Sequence, residues 1–166
     1  MRQERRTVKM LRAMVVLALG AAMVLRPHAA PATSAPSCDL VSPGFSVSYD
    51  PTSDFGKSSM GTMSVDCTTN SALTIQVDLS PGRSANYADR TMVQTGGSSV
   101  LHYNVLFGAT ATPFGDGSPG TQHLQTAASP SGGEIFLSQS LRLVIPPHQF
   151  AVPGPYGDSL LVTVQF

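Results

Sequence analysis

Apolar and polar side chains alternate along much of the chain beyond residue 38. The segment LTIQVDL shows this best, with four apolar side chains on one side: Leu73, Ile75, Val77 and Leu79. A period of two is that of a β-strand with one face in the core and the other in water. The 3.6-residue period of an amphipathic helix is almost absent. We therefore expect an all-β protein.

Five further segments carry the same alternation: residues 45–49 (FSVSY), 61–67 (GTMSVDC), 101–107 (LHYNVLF), 134–145 (EIFLSQSLRLVI) and 159–166 (SLLVTVQF). In LHYNVLF the alternation predicts an outer face of His102, Asn104 and Leu106. Turn-forming Gly, Pro and Asp residues separate the segments at the spacing of a β-sandwich, which predicts one domain of six or seven strands. The connection over residues 109–133 is long unless TQHLQTA (121–127) holds a short strand.

The start of the chain has the pattern of an export signal. A basic stretch, MRQERRTVKMLR, precedes thirteen uncharged residues (13–25) and a run of small residues. This predicts a secretory signal peptide over residues 1–30. A membrane anchor needs about 20 apolar residues, and the run ends at Arg26, so we expect no anchor in the mature chain. Residues 31–37 then form a short N-terminal arm and residues 38–166 the domain.

Cys38 and Cys67 are the only cysteines of the chain. In an exported protein a lone pair favours a structural disulfide. The alternatives are a metal site, which needs His or Cys partners at short spacing, and a redox pair, which usually has the spacing CxxC. Neither pattern is present, so we predict a disulfide.

The net charge of zero conceals an uneven distribution of charge. From Pro31 onward the chain has 4 basic and 9 acidic residues, a balance of 4 − 9 = −5. Nucleic acids and anionic membrane surfaces are bound through basic patches. We therefore expect neither as a partner.

The residues that carry chemistry form no recognisable site in the sequence. The three histidines beyond the signal region, which a zinc or copper site would have to bring together, are far apart in sequence: His102, His123 and His148. Five acids lie beside turns, where Asp accepts backbone hydrogen bonds: Asp50, Asp54, Asp89, Asp116 and Asp158. There is no GxSxG motif, and the glycine-rich FGDGSPG (114–120) lacks the Lys of a phosphate loop. We predict no catalytic residue, metal ligand or cofactor.

Several motifs, in order along residues 38–166, carry a resemblance to a known family. They are the opening Cys38, FSVSYDP, GTMSVDCTT, LTIQVDLSPGRS, Arg90 and Met92 ahead of LHYNVLFG, FGDG (114–117) and the ending IPPHQFAVPGPYGDSLLVTVQF. This ordered set resembles the spore coat protein U domain, which occurs in subunits of archaic chaperone/usher pili and in secreted coat proteins.

The resemblance implies an incomplete immunoglobulin-like sandwich that lacks its final strand and leaves a groove open between its first and last strands. The implied acceptor groove residues are Phe45, Val47, Tyr49, Leu160, Val162, Val164 and Phe166. The implied partners are a periplasmic chaperone, an outer-membrane usher and neighbouring subunits, which fill the groove by donor-strand complementation. The implied location is the periplasm in transit and then the cell surface or the medium.

The arm departs from the pattern of a pilus-rod subunit. APATSAPS before Cys38 offers Ala and Pro where a donor strand needs alternating apolar residues, and Pro cannot donate to a sheet ladder. This favours a tip or adhesive subunit. The alternatives are a self-contained secreted coat or matrix protein and a secreted metal-binding sandwich enzyme. For a receptor, the sequence offers only two aromatic and proline-containing loops, residues 114–120 and 146–156.

Overall fold

The computed structural model describes residues 34–166, so the predicted signal peptide and the start of the predicted arm lie outside the described residues. Residues 34–36 are exposed and irregular, and Ser37 already belongs to the first strand. Within this part of the chain no helix has the length and apolar character needed to cross a membrane.

Residues 34–166 form nine strands and one short 3₁₀ helix at Gly82–Ser84. The strands are β1 (Ser37–Val41), β2 (Lys57–Thr68), β3 (Leu73–Leu79), β4 (Arg90–Gln94), β5 (Val100–Phe107), β6 (Leu124–Ala128), β7 (Glu134–Ile145), β8 (Tyr156–Gly157) and β9 (Val162–Gln165). The predicted all-β class is confirmed, whereas the predicted six or seven strands are fewer than those formed.

The strands make two antiparallel sheets that pack face to face as an incomplete immunoglobulin-like sandwich. The larger sheet has the order β1-β2-β7-β5-β4-β8 and the smaller one the order β6-β3-β9. The twelve-residue pairing of β2 with β7 is the longest in the larger sheet. Because β9 is the last member of the smaller sheet, one of its sides has no neighbouring strand among the described residues.

The core lies between the sheets and consists of the inward residues of each strand. Its buried members include Met63 and Val65 of β2, Ile75 and Val77 of β3, and Leu141 and Leu143 of β7. The alternation predicted for these strands is confirmed, since the residues between them are more exposed. Burial of such apolar side chains contributes about 1.5 to 3 kcal/mol each.

The predicted disulfide is present. Cys38 of β1 and Cys67 of β2 stand directly opposite each other in the antiparallel pair and are bonded. Cys67 is buried in the core and Cys38 packs against it. The bond therefore fastens the edge strand β1 to the sheet.

The strand predicted at residues 45–49 does not form. Phe45, Val47 and Tyr49 keep the predicted inward alternation and pack against the core. However, residues 42–49 make no backbone hydrogen bond to other backbone groups within the described chain. The alternation thus predicted the direction of the side chains correctly, but a strand also requires a partner in a sheet.

The predicted outer face of LHYNVLF is also partly wrong, since Asn104 and Leu106 are buried. The following loop folds back over this part of β5, and Leu106 pairs with Pro113 in an isolated bridge. The loop also places Phe114 in the core, fully buried, so Phe114 is not an exposed side chain of a receptor loop. The short strand suspected in TQHLQTA exists as β6, shifted to residues 124–128.

Candidate functional site: the β9 groove

A long groove opens along the free side of β9. One wall is the extended segment 42–49, and the other is formed by β9 and the chain that precedes it, residues 151–161. The floor is the inner face of the larger sheet: Met92, Leu101, Tyr103, Val105, Leu141, Leu143 and Ile145. We call this feature the β9 groove.

The β9 groove consists of two connected hollows with cavity volumes of about 330 Å³ and 510 Å³. Four side chains line both hollows and form the boundary between them: Phe45, Met92, Leu143 and Tyr156. The lining is mostly apolar, and among residues 34–166 it contains one carboxylate, that of Asp158, at the end nearest β9.

The backbone edges of the groove are open. Residues Val162–Gln165 of β9 pair with β3 on one side only within the described chain. On the opposite wall, residues 42–49 have no hydrogen bond to another backbone group among residues 34–166. Unpaired N–H and C=O groups are strong hydrogen-bonding groups, and an exposed row of them is a template for another strand.

The residues predicted for the acceptor groove take three kinds of position. Five of them line the groove: Phe45, Val47, Tyr49, Leu160 and Val162. Val164 is half-buried and packs against the core, and Phe166 is 51% exposed; neither lines the groove.

Other lining residues were not among those predicted for the acceptor groove. Leu143 and Met92 belong to the floor, and residues 151–156 form part of a wall. Met92 was named in the sequence only as part of the family resemblance, although its two-residue spacing from Arg90 is that of two residues on one face of a strand. Proline-rich segments such as 151–156 carry no such periodic signal.

The wall 42–49 is fastened at its far end by polar contacts. The backbone N–H of Gln149 donates to the Tyr49 hydroxyl at 2.8 Å. The Gln149 side chain in turn bonds both backbone groups of His102, accepting from its N–H at 2.6 Å and donating to its C=O at 2.9 Å. Tyr49 is thereby connected to β5.

A buried arginine lies under the other end of the groove. Arg90 is fully buried, and its guanidinium donates to the Asn104 side chain at 2.5 Å, the Phe114 carbonyl at 2.6 Å and the Ser80 carbonyl at 3.0 Å. It lies 5.3 Å from the centre of the Tyr87 ring. Burial lowers the pKa of Arg90, which nevertheless keeps its charge because an arginine ordinarily titrates far above the physiological range.

Beside Arg90, Tyr103 donates from its hydroxyl to Asp158 at 2.7 Å. Burial, followed by this bond to a carboxylate, raises the pKa of Tyr103 far above its ordinary value. The phenol therefore stays protonated and keeps donating throughout the physiological range.

The remaining titratable groups do not converge on the groove. Each of the three histidines within residues 34–166 lies beside a different aspartate: His102 with Asp89, His123 with Asp78, and His148 with Asp54. Within residues 34–166, His, Cys, Asp and Glu form no group of three placed to hold a metal ion.

Two turn aspartates play the structural part expected of them. Asp50 accepts from Thr52 and Asp116 from Ser118, and these hydrogen bonds lower the pKa of both carboxyls.

The β9 groove is therefore an apolar groove between two open backbone edges, an arrangement that can bind an extended chain segment.

Comparisons with known proteins agree with this geometry. The family model of the Spore Coat Protein U domain matches residues 25–163. No curated protein matches the chain significantly.

Eleven chains of solved structures match. One belongs to the crystal structure of the CsuC–CsuE chaperone–tip adhesion subunit pre-assembly complex from archaic chaperone–usher Csu pili of Acinetobacter baumannii. The TM-score is 0.57 and the sequence identity 18%, and the match covers 80% of this chain. It spans only 40% of the length of that chain, so the likeness concerns the fold.

Proposed function

The chain belongs to the Spore Coat Protein U domain family, and on this basis we propose that it is a structural subunit of an archaic chaperone–usher pilus. In this role the β9 groove accepts an extended strand from another chain. A periplasmic chaperone supplies the strand first, and a neighbouring subunit replaces it at the outer-membrane usher. The subunit ends at the cell surface, after export through the periplasm.

The observation that carries this proposal is the open edge of β9 above an apolar floor. A strand laid between β9 and residues 42–49 would pair with backbone groups on both sides. Its alternate side chains would enter the two hollows. This is β-strand addition, in which main-chain bonds provide affinity and side-chain pockets provide specificity.

The finer part of the proposal is a tip or adhesive position in the fibre. Its support is the segment before Cys38, whose Pro31 and Pro36 interrupt any ladder it would enter. Residues 34–36 are exposed and pair with no strand. A subunit of this kind accepts a strand but is a poor donor.

The direct test is strand binding by the full chain after refolding from urea. The probe is a fluorescein-labelled peptide of twelve residues with Val or Ile at alternate positions and Thr or Ser between them. Its control has the same composition in an order that breaks the alternation. We expect the alternating peptide alone to bind, and to raise the melting temperature by about 10 °C at a hundred times its Kd.

A sharply melting monomer that ignores both peptides would contradict strand acceptance and favour the self-contained coat protein. Equal binding of the two peptides would show nonspecific attraction to an apolar surface.

A further inference from the structure

Two neighbouring buried polar side chains of β4 and β5 reach the chain that leads into β9. Arg90 and Tyr103 are direct partners across the β4–β5 pair, and they are 0% and 4% exposed. Buried polar groups are costly unless they are hydrogen-bonded. The positions of their bonds therefore indicate what these side chains hold in place.

Tyr103 holds the segment before β9 through Asp158. One Asp158 oxygen accepts from the Tyr103 hydroxyl at 2.7 Å, and the other from the backbone N–H groups of Ser159 at 2.9 Å and Arg83 at 3.3 Å. Gly82 permits this close approach, because a Cβ at its position would lie 2.3 Å from the Asp158 carboxylate and 2.7 Å from Leu160.

Arg90 holds the same segment through Ser80. Its guanidinium fixes the Ser80 carbonyl, and Ser80 then bonds both backbone groups of Leu161. The Ser80 N–H donates to the Leu161 carbonyl at 2.9 Å, and the Leu161 N–H donates to the Ser80 hydroxyl at 2.8 Å. Asp158 is thus fastened from the floor of the β9 groove, and Leu161 from the end of β3.

β9 needs such a fastening. It is four residues long and pairs with β3 alone within the described chain. Ordering the backbone costs about 1 to 2 kcal/mol per residue. An edge that is ordered only when its partner arrives would therefore weaken and slow binding.

We propose that Tyr103, acting through Asp158, is a positioning residue that holds β9 as a preformed edge for an incoming strand. Ser80, acting through Leu161, supports the same edge. This inference rests on the proposed function and adds to it a hydrogen-bonded group at the floor of the β9 groove that holds the site in place before the strand arrives.

The test compares Tyr103→Phe with Tyr87→Phe in the full chain, using the alternating peptide described above. Tyr87→Phe is the matched control, since its ring lies over Arg90 and its hydroxyl faces Asp116 rather than residues 158–161. Loss of one hydrogen bond to a charged acceptor should slow association of Tyr103→Phe by about tenfold. Dissociation should change by less than about twofold, because in the complex the bound strand itself holds β9.

Hydrogen exchange provides the second readout. In the free protein, protection of the amides of residues 159–165 should fall in Tyr103→Phe and remain in Tyr87→Phe, and the peptide should restore it. A purely structural role would instead lower protection throughout the domain, in the free and bound states alike.

Ser80→Ala keeps the test decisive if Tyr103→Phe fails to fold. It removes the hydroxyl that accepts from Leu161 and leaves Tyr103 in place. The inference is overturned if the wild type binds the peptide normally and every variant that folds, Tyr103→Phe or Ser80→Ala, associates at the wild-type rate. If the wild-type protein binds no peptide, it is strand acceptance itself that fails.

Discussion

Arg90 shows which properties of a single residue could be predicted from the sequence and which could not. Its position two residues before Met92 indicates a shared face, yet no local pattern shows that a lone cation enters the core. The cation is accommodated because three acceptors distant in sequence surround it: the Asn104 side chain and the carbonyls of Ser80 and Phe114. Long-range partners of this kind cannot be inferred from spacing. The same limit explains the wrongly predicted exposure of Asn104.

We expect Arg90→Lys to be strongly destabilising, although it keeps the charge. A lysine ammonium cannot span the acceptors that the planar guanidinium reaches, so buried carbonyls lose their donors. The expected loss is about 3 kcal/mol of unfolding free energy, measured by urea denaturation. The control is Arg142→Lys, because the half-buried Arg142 donates to one carbonyl, that of Thr110. Similar losses in the two variants would show that the Arg90 bonds add little.

The raised pKa of Tyr103 predicts a specific alkaline weakness. In the unfolded chain this phenol titrates near its ordinary value of 10.0, whereas in the folded protein it titrates higher. Above pH 10 the unfolded state therefore binds fewer protons than the folded state, and stability falls as pH rises. Below pH 10 the contribution of Tyr103 to the unfolding free energy is fully present. We expect Tyr103→Phe to lose less unfolding free energy than wild type as pH rises above 10, the difference approaching about 1.4 kcal/mol per pH unit near pH 11. Parallel curves would contradict this assignment.

Among the elements, segments with strong alternation and a neighbour in the sheet were predicted well. β3 has the predicted bounds, residues 73–79, and β7 has residues 134–145 as predicted. Segment 45–49 has equal alternation but no ladder partner in the described chain, so it stays an unpaired wall. The sequence also missed β1, β4 and β8, which are short. Alternation reports burial on one side, whereas pairing depends on the rest of the molecule.

The two faces of β9 should respond differently to one substitution. Val162→Lys places a charge in the groove, whereas Thr163→Lys places it on the exposed face opposite Asp78. We expect Val162→Lys to weaken peptide binding by more than about a hundredfold and Thr163→Lys by less than about threefold, because desolvating an unpaired charge is costly. Fluorescence anisotropy measures both. Equal losses would place the bound peptide elsewhere.

The disulfide should matter most for β1. It closes a loop with a sequence separation of 29 residues, worth about 3.5 kcal/mol in the chain-entropy model. We expect Cys38→Ser with Cys67→Ser to lower the unfolding free energy by about this amount and to expose the amides of Ser37–Val41 to exchange. Dithiothreitol should then destabilise the wild type but not the double variant. An equal effect on both would mean that the reductant acts elsewhere.

At the largest scale, residues 34–166 form a sandwich of unequal layers, a six-stranded sheet facing a three-stranded one. The smaller sheet leaves the floor of the β9 groove uncovered beside β9. The candidate site is therefore a direct consequence of the unequal widths of the two sheets. The class of the fold could be predicted from alternation and turn spacing. The missing cover could be predicted only through the family resemblance, because each strand looks complete in its own sequence.

Supplying that cover within the same chain should stabilise the molecule. We expect this from adding an Asn-Gly turn and a strand with alternating Val and Thr after Phe166, since this turn type joins adjacent antiparallel strands. Each apolar side chain that becomes fully covered contributes about 1.5 to 3 kcal/mol. Because the floor is already partly buried, we expect a gain of about 5 kcal/mol, or about 15 to 20 °C in melting temperature. The extended chain should also lose binding of the free peptide, because its own strand occupies the β9 groove.

The control extension places Pro at every second position, which removes the donors of the ladder. If that extension stabilises the chain equally, the gain comes from added length rather than from completing the sheet, and the β9 groove is not an acceptor of strands.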